Sequence, residues 1–317
     1  MKKFETCFYF LAALCFFVMT LSGCKSERQT WEYDLSPLQK VDSNLMTWNE
    51  LPPLSLETDS PFAMAVDHED RYFILDKTSL MILDPEGVLL NRILLNGKAD
   101  ALAVHPKHGI FLAQGRSVVN MAFDGSIRSE WQPLNENAII TAIAVTDSDV
   151  FLADAGNKWI WRHSPEGAFR NTIGGRDAQA GRRGFLIPGV CFDIQIGTQD
   201  ELWAVNPGFH RLELFSPEGR LRSSWGKSGW TLESFSGCCN PTHFAIMPDG
   251  RFVTSEKGLV RIKIYDQTGT LESVAASPAM FDEGTEGLAL AVDSKSRIIA
   301  LDPARRQIRR FEEIKED

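Results

Sequence analysis

The residues best suited to chemistry gather in one stretch, SFSGCCNPTHFAIMPDGRFVTSEKG, spanning 234–258. It carries adjacent thiols at Cys238 and Cys239, an imidazole at His243 and the charged pair Glu256 and Lys257. Adjacent cysteines allow a vicinal bridge, whose strained ring is readily reduced, or a disulfide to a third cysteine, or redox work. An imidazole with carboxylates beside it can hold a divalent ion or polarise a bound water. Neither a Cys-x-x-Cys nor a Cys-His spacing of the zinc-binding kind supports metal at the thiols. No Ser-His-Asp ordering, Gly-rich phosphate loop or helical metal motif can be placed.

What positions these groups is a repeat. An apolar alternating run ending in an acid or amide, then a turn with Gly, occurs six times: AMAVDHEDRYFILD, ALAVHPKHGIFLAQ, AIAVTDSDVFLAD, FDIQIGTQDELWAVN, HFAIMPDGRFVTSE and LALAVDSKSRIIALD open the copies. The residues closing the second run are Asp76, Gln114, Asp154, Asn206, Glu256 and Asp302, at steps of 38, 40, 52, 50 and 46 by subtraction. Turn glycines Gly87, Gly125, Gly167, Gly219 and Gly269 step by 38, 42, 52 and 50, in parallel with them. Period-2 alternation predicts strands, and the PEG, DG and TG turns supply the positive φ that tight hairpins need. Four short strands per copy, at this spacing, predict an all-β, six-bladed β-propeller. The sixth copy lacks its last strand, so one of the N-terminal segments TWEYDL or LMTWNEL is expected to supply it and remove an open edge. Residues 24–53 then read as a tether with the ring-closing strand, and 54–317 as the propeller.

The phrasing of the copies resembles NHL-type propellers, most clearly in copies three to five, and GCCNPTHFAIMPDGRFVTSEKG is similar to exported bacterial NHL-repeat proteins. That resemblance implies fold rather than chemistry. Gln114 departs from it where an acid is usual, and DPARRQI lacks the following Gly turn. Enzymes of this propeller type, such as amidating lyases and lactonases, ring the channel with His, Glu, Asp or Asn ligands. Here the corresponding positions are Ala63, Ala101, Thr141 and Ala289, which argues against carrying their activity over.

The 50-residue offset between copies four and five sets His243 opposite Asp193, with Glu286 entering the sixth copy; these three are the candidate metal ligands. It also brings Cys191 near Cys238 and Cys239, which leaves open a disulfide between copies, a vicinal bridge or free thiols. NPGFHR and SEKGLVR lie on the loop from second to third strand, a common ligand-facing edge in NHL blades. Asn206, His210, Arg211, Glu256, Lys257 and Arg261 are expected there as an adjoining polar surface, flanked by the cationic Arg176, Arg182 and Arg183 suited to anionic groups.

The first residues, MKKFETCFYFLAALCFFVMTLSGC, combine two lysines, an apolar run and small residues before Cys24, which predicts an export signal over 1–23. Leu21-Ser22-Gly23-Cys24 resembles the bacterial lipobox, implying cleavage before Cys24, its lipidation and a lipid anchor in the membrane. Lys25 rather than Asp after the cysteine favours the outer membrane by the same resemblance. A net charge of -9 without a basic block excludes nucleic acid as a natural partner. Together these features predict a membrane-anchored binding or scaffold module of the cell envelope, taking a protein or a small anionic ligand and no cofactor, a divalent metal excepted. Two competing readings are a metal-assisted lyase or hydrolase at the mouth of copies four and five, and a redox-linked periplasmic protein using Cys238 and Cys239.

Overall fold

The computed structural model describes residues 36–179 and 183–315. Within them are six four-stranded antiparallel sheets, the blades of a propeller. The first strands are Ala63–Val66, Ala101–His105, Ile140–Val145, Ile194–Ile196, His243–Ile246 and Ala289–Val292 in blades 1 to 6, and each neighbours the next around a closed ring. They therefore line the axis.

Each blade presses both faces against neighbours, so its second strand is an apolar run up to the closing acid: Tyr72–Leu75, Val150–Asp154 and Ile298–Asp302 are buried at every position. Fourth strands form the rim and are exposed, as in Leu89–Leu94 and Ile127–Glu130. The apolar core is correspondingly divided into five clusters shared between blades. The largest runs through blades 3 to 5 and includes Phe151, Trp203, Trp225, Phe244 and Phe252. Burying surfaces that no single blade can cover alone is what holds such a ring together.

The turn glycines have a second task beyond their φ near +90°. A Cβ at Gly167 would meet the Trp131 ring at 2.9 Å, and one at Gly269 the Trp225 ring at 2.6 Å. Each turn thus rests on the outer edge of the preceding blade, which fixes both hairpin and inter-blade spacing.

Trp48–Ser55 is the outer strand of blade 6, antiparallel to Gln307–Glu313, with Trp48 opposite Glu313 and Ser55 opposite Gln307. The closing strand thus extends past residue 53. Arg309 clamps the seam by a bidentate pair to Glu50, at 2.6 and 2.8 Å. Trp48 ties the strand to blade 5 by donating its indole N–H to Ser273 Oγ at 3.0 Å. No helix among the described residues is long and apolar enough to cross a membrane. The expected export signal, Cys24 and the TWEYDL segment lie outside the described residues.

Candidate functional site

The axial strands begin around a cavity of about 860 Å³ at one mouth of the channel. Blades 1, 2 and 6 contribute Ala63, Ala101 and Ala289 to its wall, while Cys191, Asp193, His243, Lys257 and Glu286 come from blades 4 to 6. Lys98, Asp100 and Arg116 add charge on the side of blades 1 and 2, so polar groups stand on both sides of the mouth.

Asp193 stands just before the first strand of blade 4 and reaches across to blade 5. Its carboxylate accepts from Ile194 N at 2.9 Å and Phe244 N at 3.2 Å, and lies 3.4 Å from His243 Nδ1. The repeat offset thus sets these two side chains side by side as expected. Thr141 performs a similar stitch one blade earlier, donating its hydroxyl to Phe192 O at 2.7 Å. The expected metal set needs correction, because His243, Asp193 and Glu286 do not bring three ligand atoms together. Among the described residues the one trio within 4.8 Å is His105, His108 and Asp147, elsewhere on the propeller. Asp193 is occupied with backbone N–H groups of two blades, which directs its oxygens into the wall.

All three described cysteines are free thiols. The Cys238 and Cys239 sulfurs approach to 3.2 Å, well beyond the roughly 2.05 Å of a bond. Cys191 is half-buried and 3.9 Å from Lys257 Nζ. Burial raises the Cys191 and Cys239 pKa values above their ordinary range, Lys257 only partly opposing it. For Lys257 the order reverses: burial disfavours its charge, but Cys191, Cys239 and Cys238 together outweigh this and raise its pKa. A thiol whose pKa is raised is a weaker nucleophile at neutral pH, which lowers the reactivity of Cys191 and Cys239.

The expected polar surface on the second-to-third-strand loops is not one surface. Asn206 is buried, its amide donating to Glu213 Oε1 at 3.1 Å while its oxygen accepts from Leu186 N at 2.9 Å. His210 is buried in a left-handed turn, with φ 57°. Glu256 and Arg261 form an internal pair at 2.9 and 3.1 Å, joined by Lys263 at 2.8 Å from Glu256 Oε1. Their side chains are 0%, 1% and 0% exposed, so this charge serves the inside of blade 5. Of that expected set, only Lys257 and His243 line the mouth. Arg211 is exposed and lines a second cavity of about 960 Å³ beside blades 3 and 4, with Arg176 and Arg183. Arg182 lies outside the described residues.

Sequence reasoning passed over Lys263, which reads as an ordinary strand residue, and Glu213, whose carboxyl pKa is pushed up by burial. A column would have found both: each lies two residues beyond the partner of the strand-closing position in its blade.

No family model and no curated protein matches this chain. Solved structures do. A catalytically inactive virginiamycin B lyase from Staphylococcus aureus with quinupristin matches at TM-score 0.58 and 13% identity, over 83% of this chain and 99% of that one. A protein of unknown function from Bacteroides caccae matches at 0.56 and 9%, over 73% and 85%. The Pan2 WD40 domain of Neurospora crassa matches at 0.57 and 10%, over 87% and 98%. At these identities the likeness shows the propeller fold alone.

Proposed function

We propose that this chain is an NHL-type propeller tethered in the cell envelope, outer membrane favoured, that binds a small anionic ligand at the channel mouth. One observation carries the reading: a cavity of about 860 Å³, largely apolar, with Lys257 and His243 beside Asp193 and Glu286 on the side of blades 4 to 6, and Lys98 and Arg116 on the side of blades 1 and 2. Concave apolar sites with a few convergent polar groups are where small ligands are held. Lys257 supplies the charge for a carboxylate or sulfate, and His243, fixed in place beside Asp193, supplies a second donor. The tether rests on the lipobox-like segment ending at Cys24.

The test is thermal unfolding of the full chain in detergent against a panel of small carboxylates and sulfates. A ligand at 100 times its dissociation constant adds about 2.7 kcal/mol of stability. The shift should vanish in Lys257→Met and persist in Arg211→Ala. A shift lost in Arg211→Ala instead would move the site to the second cavity.

A second reading, a lyase or hydrolase with His243 as acid/base, is favoured by the 3.4 Å approach of Asp193 to His243 Nδ1. Such a carboxylate would fix the ring tautomer and leave Nε2 to move a proton. The two readings separate on the fate of the bound molecule: recovered intact for a binding module, altered for an enzyme and protected by His243→Ala.

A further inference from the structure

At the far end of the axial strands from the mouth, blades 2 and 3 bring three ligand-type side chains together. His105 ends the first strand of blade 2, and His108 sits in the turn before Gly109. Asp147 occupies the equivalent turn of blade 3, between Val145 and Val150. The two imidazoles stack with centroids 5.0 Å apart. His105 Nε2 is 3.6 Å from Asp147 Oδ1, and one ring nitrogen of each histidine lies within 4.8 Å of the other and of that carboxylate.

The hydrogen bonding leaves lone pairs free. His108 Nε2 lies 2.9 Å from the Asp147 carbonyl oxygen, which can only accept, so the N–H is on Nε2 and Nδ1 carries a lone pair. His105 Nδ1 is buried without a hydrogen-bond partner. Stacked imidazoles beside a carboxylate, with one ligand atom of each residue within 4.8 Å of the others, gain from a cation placed among them.

We propose that His105, His108 and Asp147 form a binding site for a divalent transition-metal ion of the zinc class, clipping the turns of blades 2 and 3 together. Two imidazoles select a borderline ion over calcium or magnesium, which prefer all-oxygen shells. Three protein ligands leave a fourth position to water. Asp147, 78% exposed, must swing only its carboxylate to close the triangle. The site lies about 13 Å from the channel mouth, taking the four steps of the strand Ala101–His105. It is thus independent of the ligand proposed there.

The experiment is equilibrium dialysis of the metal-stripped full chain, in detergent and without a histidine tag, against Zn²⁺, paired with visible absorption of Co²⁺ as a spectroscopic probe. One Zn²⁺ per chain is expected, weakened at least tenfold in His108→Ala, several-fold in Asp147→Asn, and unchanged in His243→Ala. The Co²⁺ spectrum should show no thiolate charge-transfer band. Because Asp147 is solvent-exposed, Asp147→Asn repeats the test in a chain that keeps its fold. Absence of stoichiometric binding, binding unchanged in both His108→Ala and Asp147→Asn, or a thiolate band from Cys191, Cys238 or Cys239 would each overturn the proposal.

Discussion

Blades 3 and 5 fill the same slot in opposite ways. Asp154 closes the second strand of blade 3 and accepts only from uncharged donors: Ile139 N, Gly156 N and Asn157 N at 3.0 Å, and Trp161 Nε1 at 2.8 Å. Glu256 holds the matching position in blade 5 and is instead met by Arg261 and Lys263, all three buried. In blade 3 the carboxylate is solvated by the loop it organises, so little uncompensated charge remains. Blade 5 encloses two cations for one acid, and Lys263 also leans on the carbonyls of Leu232 and Ser234, both at 2.9 Å. Those carbonyls belong to the lead-in of the cysteine stretch. The ionic cluster therefore holds the loop that carries Cys238 and Cys239. The comparison teaches that a charged loop motif can be scaffolding for a site rather than the site.

Breaking the comparison at its stronger side should give the largest effect. Glu256→Ala leaves two buried cations facing each other and should cost about 3–5 kcal/mol in urea unfolding. Asp154→Ala strands several backbone N–H groups without a charge imbalance, for an expected loss of about 2–3 kcal/mol by the same measurement. The two blades also differ in pH response. Burial, only partly offset by Glu256, lowers the Lys263 pKa from 10.5 to about 8. Between those values the unfolded chain holds a proton that the folded chain has released, so stability from this group rises with pH. The cost of the buried charge is fully present below about 8 and is relieved toward 10.5. The slope has a ceiling of about 1.4 kcal/mol per pH unit, and the difference between the parent chain and Lys263→Met isolates it. Blade 3 has no such lysine and should be silent over this range. Smallest of all, Arg211→Ala on an exposed side chain should change stability by less than about 0.5 kcal/mol, whatever it does to anion binding.

Much of the ring was readable from residue types alone. The predicted strand-closing residues fall at the last residue of the second strand or one beyond it in every blade, as with Asp154 in Val150–Asp154 and Glu256 after Phe252–Ser255. Gly87, Gly125, Gly167, Gly219 and Gly269 all take φ between 86° and 93°. Column arithmetic also set Asp193 beside His243, since equal positions in adjacent blades lie side by side around the axis. Burial was not readable. SEKGLVR spells the same pattern whether its charges face water or each other, and the deciding partner, Lys263, alternates like any strand residue. HPKH at 105–108 likewise becomes a ligand pair only when the turn of the next blade delivers Asp147, about forty residues on, a proximity that belongs to the ring rather than to either segment.

The seam at Glu50 and Arg309 has a consequence in time. Ser55 is paired with Gln307, 252 positions later by subtraction. At about 5–20 residues per second, the segment 48–55 waits roughly ten to fifty seconds of synthesis for its neighbour. Until then the outer strand of blade 6 has no partner and the circle is open. A chain halted anywhere before Gln307 keeps that gap permanently, with two unpaired edges available to other chains. Closure of the ring is thus a report on synthesis as far as Glu313, read where the strand Trp48–Ser55 meets Gln307–Glu313.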